Sequence, residues 1–154
     1  MKYLLLSLLG LFTFTAVHAQ VNLTLDVSCS APPSAVRITG PFWGWDPNGG
    51  PIAADNGDGT WTVTLDPAPT ENMEYLWVVD GVNENLIQAM VDGGDCAPVT
   101  DFFSYANRRW DVGSGDVNDT FNQCEACGGN TGTGETLLSL TFDDASSITP
   151  WVKL

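Results

Sequence analysis

The sequence has little positive charge and almost no histidine. Its 154 residues include 5 Lys and Arg, 19 Asp and Glu and one histidine, His18, for a formal net charge of −14 at pH 7. Such a charge disfavours nucleic acid or an anionic membrane surface as a partner, and it fits a soluble extracellular protein. Because His18 lies in a segment that we expect to be removed, no histidine remains for a Ser-His-Asp triad, a Cys-His pair or a histidine-bearing zinc site.

The first 19 residues have the pattern of a secretory signal peptide. Lys2 precedes an apolar run that ends at Val17-His18-Ala19, a small-x-small cleavage site. The run is too short for a membrane anchor, and the nearest cysteine, Cys29, lies too far downstream to carry a lipid. We therefore expect residues 1–19 to be removed and the protein to be secreted.

The cysteine count predicts disulfides. An even number of cysteines in an exported chain is typical of disulfide bonding, and four cysteines allow three pairings. Cys124 and Cys127 form a Cys-x-x-Cys motif, which precedes a Gly/Thr-rich stretch. A thioredoxin-type redox motif would instead open a helix. A single Cys-x-x-Cys motif is also a weak signal for a zinc site. We expect no metal or cofactor and two structural disulfides, in which Cys96 is bonded to one member of Cys124 and Cys127 and Cys29 to the other.

Short segments of alternating apolar and polar residues recur along the chain, separated by turn-forming Gly, Pro, Asp and Asn. Alternation with a period of two is typical of β-strands, and no convincing helical periodicity follows residue 20. Residues 86–91 fit either a short helical turn or a loop. We expect an all-β sandwich from about Val21 to Cys127, with Trp61, Val63, Trp77 and Val79 in its core.

The pattern changes after the predicted sandwich. Residues 128–135 form a Gly/Thr-rich linker, and an alternating segment starts again in residues 136–154. Because a lone strand cannot form a core, we expect this segment to be the start of a truncated second domain, such as a glycoside hydrolase or a lyase. The sandwich would then belong to a larger multidomain chain, as a monomer.

The loop from Gly40 to Gly50 holds three large aromatic residues, Phe42, Trp43 and Trp45. A surface loop cannot easily bury three rings, so we expect at least one ring to cap the core and at least one to lie open. An exposed ring can stack on a pyranose while neighbouring amides and carboxylates bond its hydroxyl groups. The candidate carbohydrate-binding residues are Trp43, Trp45, Asp46, Asn48 and Asn83.

The run Asp55-Asn56-Gly57-Asp58-Gly59 predicts a turn that introduces a strand. It has some likeness to a calcium loop, but Ala54 stands where the first aspartate of an EF-hand belongs. We therefore expect a turn here and no bound calcium.

Three motifs carry a family resemblance: Gly40-Pro41-Phe42-Trp43-Gly44-Trp45, Asp58-Gly59-Thr60-Trp61 and Tyr75-Leu76-Trp77-Val78-Val79-Asp80-Gly81. In content and order they resemble the early-set immunoglobulin-like modules that accompany polysaccharide enzymes, including the starch- and glycogen-binding ones. The span from Val21 to Cys127 looks like the variant found at the N-termini of secreted polysaccharide-active proteins of marine Bacteroidota. The resemblance implies an immunoglobulin-like (early-set) β-sandwich that binds a polysaccharide without cutting it.

The resemblance also implies roles for single residues. In the glycogen-binding members the tryptophan of the first loop stacks on sugar, and Trp45 stands at that position. Asn83 replaces a second stacking tryptophan, and Leu76 replaces a lysine that contacts sugar hydroxyls. The residues that match core positions of the family are Trp61, Tyr75 and Trp77.

Two other classes of function fit the sequence. The module could be a structural spacer or an adhesion module without affinity for glycans. An enzyme would have to use paired carboxylates, as glycosidases do, but 19 acidic residues make some pair inevitable, so no catalytic residue is assigned. If the glycan carries carboxylates, Arg108 and Arg109 are candidate contacts for them.

Overall fold

The computed structural model describes residues 19–128, which form two β-sheets packed face to face. The expected all-β sandwich is confirmed. This part of the chain contains nine strands and one α-helix, together with a 3-10 turn at Pro41–Trp43. The strands are β1 (Val21–Asp26), β2 (Val36–Thr39), β3 (Ala54–Asp55), β4 (Thr60–Leu65), β5 (Met73–Val79), β6 (Val82–Asn83), β7 (Val99–Thr100), β8 (Ala106–Trp110) and β9 (Val117–Thr120), and the helix is α1 (Ile87–Val91).

The first sheet has the strand order β3-β4-β1-β9. β1 pairs antiparallel with β4 along its whole length and in parallel with β9, where Leu23 lies opposite Val117. Within β1, Val21, Leu23 and Leu25 are buried while the residues between them are half-exposed. The alternation seen in the sequence therefore marks the face of β1 that meets the second sheet.

The second sheet has the order β2-β5-β8-β7, and β6 extends it along the same edge of β5 as β8. β2 and β5 are antiparallel with Thr39 opposite Leu76, and β5 and β8 are antiparallel with Tyr75 opposite Arg108. Tyr75 and Trp77 belong to the core between the sheets. Because side chains alternate along a strand, Leu76 points to the opposite, outward face.

The core between the sheets is built around Trp77, which is fully buried. Of the predicted core residues, Val63 is also buried, while Trp61 and Val79 are half-buried and pack against the same cluster. The predicted core, including Tyr75, is therefore confirmed. The other buried residues of this cluster are Val21, Leu23, Leu25, Val27, Val36, Ile38, Ala53, Met73 and Trp110.

Residues 86–91, which the sequence pattern left undecided, contain the short helix α1. Leu86 and Met90 are buried in a second, smaller apolar cluster with Ala97 and Ala106. The half-buried Cys96 and Cys124 pack against this cluster. The helix is therefore tied to the sandwich by apolar contacts.

Both predicted disulfides are present. Cys96 is bonded to Cys124 and Cys29 to Cys127, as expected from the sequence. The first bond joins the loop after α1 to the segment after β9, and the second joins the segment after β1 to the end of the described chain. Disulfides of this kind indicate an oxidising compartment.

Three predicted segments lie outside the described residues: the signal peptide apart from Ala19, the linker beyond Gly128 and the opening of a second domain. Over residues 19–128, no helix has the length and apolar character needed to cross a membrane.

The two disulfides close loops of very different length, with sequence separations of 98 for Cys29–Cys127 and 28 for Cys96–Cys124. In the chain-entropy model the longer loop restricts the unfolded chain more, by about 1 kcal/mol for this pair of lengths. We expect Cys29→Ser/Cys127→Ser to lower the free energy of unfolding more than Cys96→Ser/Cys124→Ser. Urea denaturation of both variants measures the difference, and a larger loss from the shorter loop would contradict the expectation.

Candidate functional site

The aromatic loop, residues 40–50, is held by hydrogen bonds within the loop and by one from Arg37. The carbonyl oxygen of Gly40 accepts hydrogen bonds from the N–H groups of Trp43 and Trp45, each at 3.0 Å. Asp46 Oδ1 accepts from the N–H of Asn48 at 2.8 Å, and Arg37 Nη1 donates to the carbonyl of Gly50 at 3.1 Å. These hydrogen bonds therefore brace the backbone of the loop.

The three rings of this loop have different environments. Trp43 is half-buried and packs against the core, whereas Phe42 is 55% and Trp45 37% exposed. One ring thus caps the core and two lie open, as expected from the loop's composition. Phe42 and Trp43 also line a shallow groove of about 540 Å³ at one end of the sandwich, together with Leu65 and Pro67.

Trp45 has a backbone conformation that is rare for a large side chain. Its φ is 61°, in the left-handed region, which costs about 1–3 kcal/mol for a residue other than glycine. Strain of this kind persists where the surrounding structure imposes it and clusters at ligand-binding positions. Asp80, Phe102 and Asn122 also have a positive φ.

The aromatic loop is joined to the outward face of the second sheet through Thr39. Val36 and Ile38 of β2 belong to the core, so Thr39 points outward. Its Oγ1 donates to the carbonyl of Asp46 at 2.9 Å, and its partner across the strands is Leu76. The backbone of Asp46 therefore lies close to the Thr39–Leu76 pair on this face, where both Thr39 and Leu76 are buried.

On the other side of Leu76 lies a cleft of about 270 Å³, which we call the amide cleft. Its lining includes the predicted residue Asn83 and also Asn85, Tyr105 and Asn107. The structure therefore places the Asp46 backbone on one side of Leu76 and Asn83 on the other. Asn48 is exposed on the aromatic loop, and Trp43 faces the end groove instead.

A second aromatic surface, which the sequence analysis did not single out, lies on the hairpin between β7 and β8. Phe103 is 87% exposed, and Phe102 and Tyr105 are also exposed. Tyr105 lines the amide cleft. The signal in the sequence was the run Asp-Phe-Phe-Ser-Tyr at positions 101–105, because three aromatic residues in a five-residue turn cannot all be buried.

Asp101 holds this aromatic hairpin in place. Its Oδ1 accepts hydrogen bonds from the N–H groups of Phe103, Ser104 and Tyr105 at 2.9, 2.7 and 3.2 Å, and the hydroxyl of Ser104 donates to Oδ2. The bonds from Ser104 and from the backbone N–H groups hold the pKa of Asp101 well below its usual range. The hairpin is therefore stabilised by an ionised carboxylate.

The arginines proposed as contacts for an acidic glycan are engaged within the protein. Arg108 is 2% exposed and forms ion pairs with Glu84 at 2.9 Å and Asp119 at 2.8 Å. Arg109 is exposed and pairs with Asp111 at 2.8 Å. The expectation for Arg108 was therefore wrong, because its inward position in β8 places it in the interior rather than at the surface.

The turn at residues 55–59 uses its carboxylates locally. Asp55 Oδ1 accepts from the N–H of Gly57 at 2.8 Å, and Asp58 Oδ1 accepts from the N–H of Thr60 at 3.0 Å. In the part of the chain that the structure covers, no group of three or more His, Cys, Asp or Glu side chains is arranged to hold a metal ion. The predicted turn is therefore present, and these bonds from Gly57 and Thr60 hold it.

No protein-family model and no curated protein matches this chain.

The hydrogen bonds to Asp101 predict that the conformation of the aromatic hairpin depends on pH. The pKa of Asp101 is lower in the folded protein than the ordinary value of 3.8. The stabilisation that its ionised carboxylate gives to the hairpin is therefore complete above pH 3.8 and is lost as the pH falls through the lower pKa of the folded state. We expect the amide NMR signals of Phe103, Ser104 and Tyr105 to stay constant down to about pH 4 and to shift together below it. Asp101→Asn, which keeps an acceptor oxygen, should abolish this titration, and a titration that persists in the variant would contradict the assignment.

Proposed function

We propose that this chain is a non-catalytic carbohydrate-binding module, and that it binds a neutral polysaccharide across the outward face of the second sheet. The observation that carries the proposal is the arrangement around Leu76. The exposed Tyr105 lines the amide cleft together with Leu76, Asn83 and Asn85. On the other side of Leu76, the exposed Trp45 precedes Asp46, whose carbonyl is bonded to Thr39, the cross-strand neighbour of Leu76.

The chemistry of this surface suits a sugar. The face of a pyranose carries C–H groups that pack on an aromatic ring, and its edge carries hydroxyl groups that need donors and acceptors. A side-chain amide supplies both kinds of group. Open aromatic rings and an amide-lined cleft therefore provide the two contacts that a glycan requires, and the rings are presented by two loops with braced backbones.

The charges near this surface favour a neutral ligand. Each arginine between residues 19 and 128 is bonded within the protein: Arg37 to the carbonyl of Gly50, Arg108 to Glu84 and Arg109 to Asp111. The chain as a whole carries a net charge of −14, which repels a polyanion. A glycan with many carboxylates or sulfates would find no unengaged arginine to pair with on this part of the protein.

The setting of the module is part of the proposal. The signal-peptide pattern and the two disulfides support export, and the three motifs at residues 40–45, 58–61 and 75–81 support an early-set immunoglobulin-like fold of the kind that accompanies polysaccharide enzymes. The module would then hold a secreted, polysaccharide-active protein on its polysaccharide. A single stacked ring contributes about 1–2 kcal/mol, so we expect dissociation constants of about 10 μM to 1 mM.

Affinity electrophoresis tests the proposal. The protein is run through gels that contain laminarin, starch, xylan or the acidic polysaccharide alginate. We expect retardation in at least one neutral gel and none in alginate. Migration that is unchanged in all four gels would favour the structural spacer or adhesion module, and retardation in alginate alone would refute the neutral ligand.

The variant Trp45→Asn tests the site. Asparagine tolerates the left-handed backbone of this position but has no ring, so the protein should fold while its affinity falls by a factor of about 5–30. Trp45→Phe should keep most of the affinity. Val112→Thr is the matched control, since Val112 is an exposed apolar residue away from this face. A folded Trp45→Asn variant with full affinity would place the site elsewhere.

A further inference from the structure

We propose that the buried ion pair of Arg108 and Glu84 is a positioning element for the amide cleft, an inference that rests on the proposed function. The cleft residues and the ion pair alternate along the chain. Glu84 lies between Asn83 and Asn85, and Arg108 directly follows Asn107. All three asparagines line the cleft, while both charged side chains are almost completely buried.

Glu84 fixes its own segment against β5. Its Oε1 accepts the backbone N–H of Trp77 at 2.8 Å, and its own N–H donates to the carbonyl of Trp77 at 2.9 Å. The carboxylate also accepts from Arg108, from Nε at 3.0 Å and from Nη2 at 2.9 Å. The asparagines on either side of Glu84 therefore lie on a segment anchored to two neighbouring strands.

Arg108 extends this anchor to the segment after β9. Its Nη1 donates to Asp119 at 2.8 Å and its Nη2 to the carbonyl of Thr120 at 2.8 Å. Two residues later, Asn122 Oδ1 accepts the N–H of Asn85 at 2.8 Å. Asn122 and Asn85 line a further groove of about 450 Å³ beside the cleft, so one guanidinium holds all three segments that supply the asparagines.

A hydrophobic pair could fill the same volume, and replacing buried ion pairs with apolar residues is often neutral for stability. Arginine differs from such a replacement in its rigid fork of five donors, which fixes direction as well as distance. The geometry therefore assigns to this pair the placement of the segments that carry Asn83, Asn85, Asn107 and Asn122, beyond a contribution to packing. The side-chain amide of Asn107 is held in addition by Glu74, at 2.6 Å.

The test uses the double variant Glu84→Gln/Arg108→Met. Glutamine keeps an acceptor for the N–H of Trp77, and methionine fills the space of the arginine without its donors. Asp119 also loses its ion-pair partner in this variant but keeps the hydrogen bonds from Tyr75 and Trp77. The readouts are the side-chain amide NMR signals of the asparagines in the cleft and the affinity for the glycan that retards the wild-type protein. We expect these signals to shift and broaden and the affinity to fall at least about tenfold.

The matched control is Arg109→Met/Asp111→Asn, which removes the exposed ion pair next along β8 and should change neither readout. If the double variant does not fold, Arg108→Lys replaces it, because lysine keeps the charge but lacks the fork and should disturb the same amide signals. Unchanged signals in a folded variant would overturn the inference, whatever the affinity. A wild-type protein that binds no glycan would overturn the proposed function instead, and the amide signals would still decide whether the pair positions the cleft.

Discussion

The buried charge cluster around Arg108 links the two sheets, and much of the structure depends on it. Asp119, on the first sheet, accepts from Arg108, from the hydroxyl of Tyr75 at 2.7 Å and from the indole N–H of Trp77 at 2.8 Å. In the described chain no buried side-chain nitrogen or oxygen lacks a hydrogen-bond partner. Removing one member of such a cluster leaves a buried charge without its partner, which typically costs about 3–5 kcal/mol. The cluster therefore constrains how the sheets align, and it raises the pKa of Tyr75 through burial and the adjacent Asp119 carboxylate.

The alternation of apolar residues was enough to predict the two-sheet architecture and the core around Trp77, because period two is a local property of the chain. The cluster could not be predicted in the same way, since it joins residues 75, 84, 108 and 119 from four separate segments. One local signal was present. Ala106, Arg108 and Trp110 occupy alternate positions of one strand, so an inward Trp110 implies an inward Arg108, which in turn requires a buried acid.

The candidate site was predicted in part for the same reason. A Gly- and Pro-rich loop with three aromatic rings indicates exposed rings, and the structure distinguishes the half-buried Trp43 from the open Trp45. The position of Asn83 beside Tyr105 depends on the pairing of β5 with β6 and β8, which brings together residues 22 positions apart. Such pairing is not encoded by the composition of either segment. The aromatic hairpin at residues 101–105 was not predicted as a surface, because its aromatic sequence resembles the end of a strand.

The abundance of acidic residues has a structural cause as well as an effect on solubility. Asp46, Asp80 and Asp101 each accept backbone N–H groups of loops or turns, and the aspartates that do the same elsewhere are Asp26, Asp55 and Asp58. A carboxylate satisfies donors that a loop cannot satisfy with its own carbonyls. In a sandwich with long loops these carboxylates brace the loop backbones, including those of the two loops that carry the exposed Trp45 and Phe103.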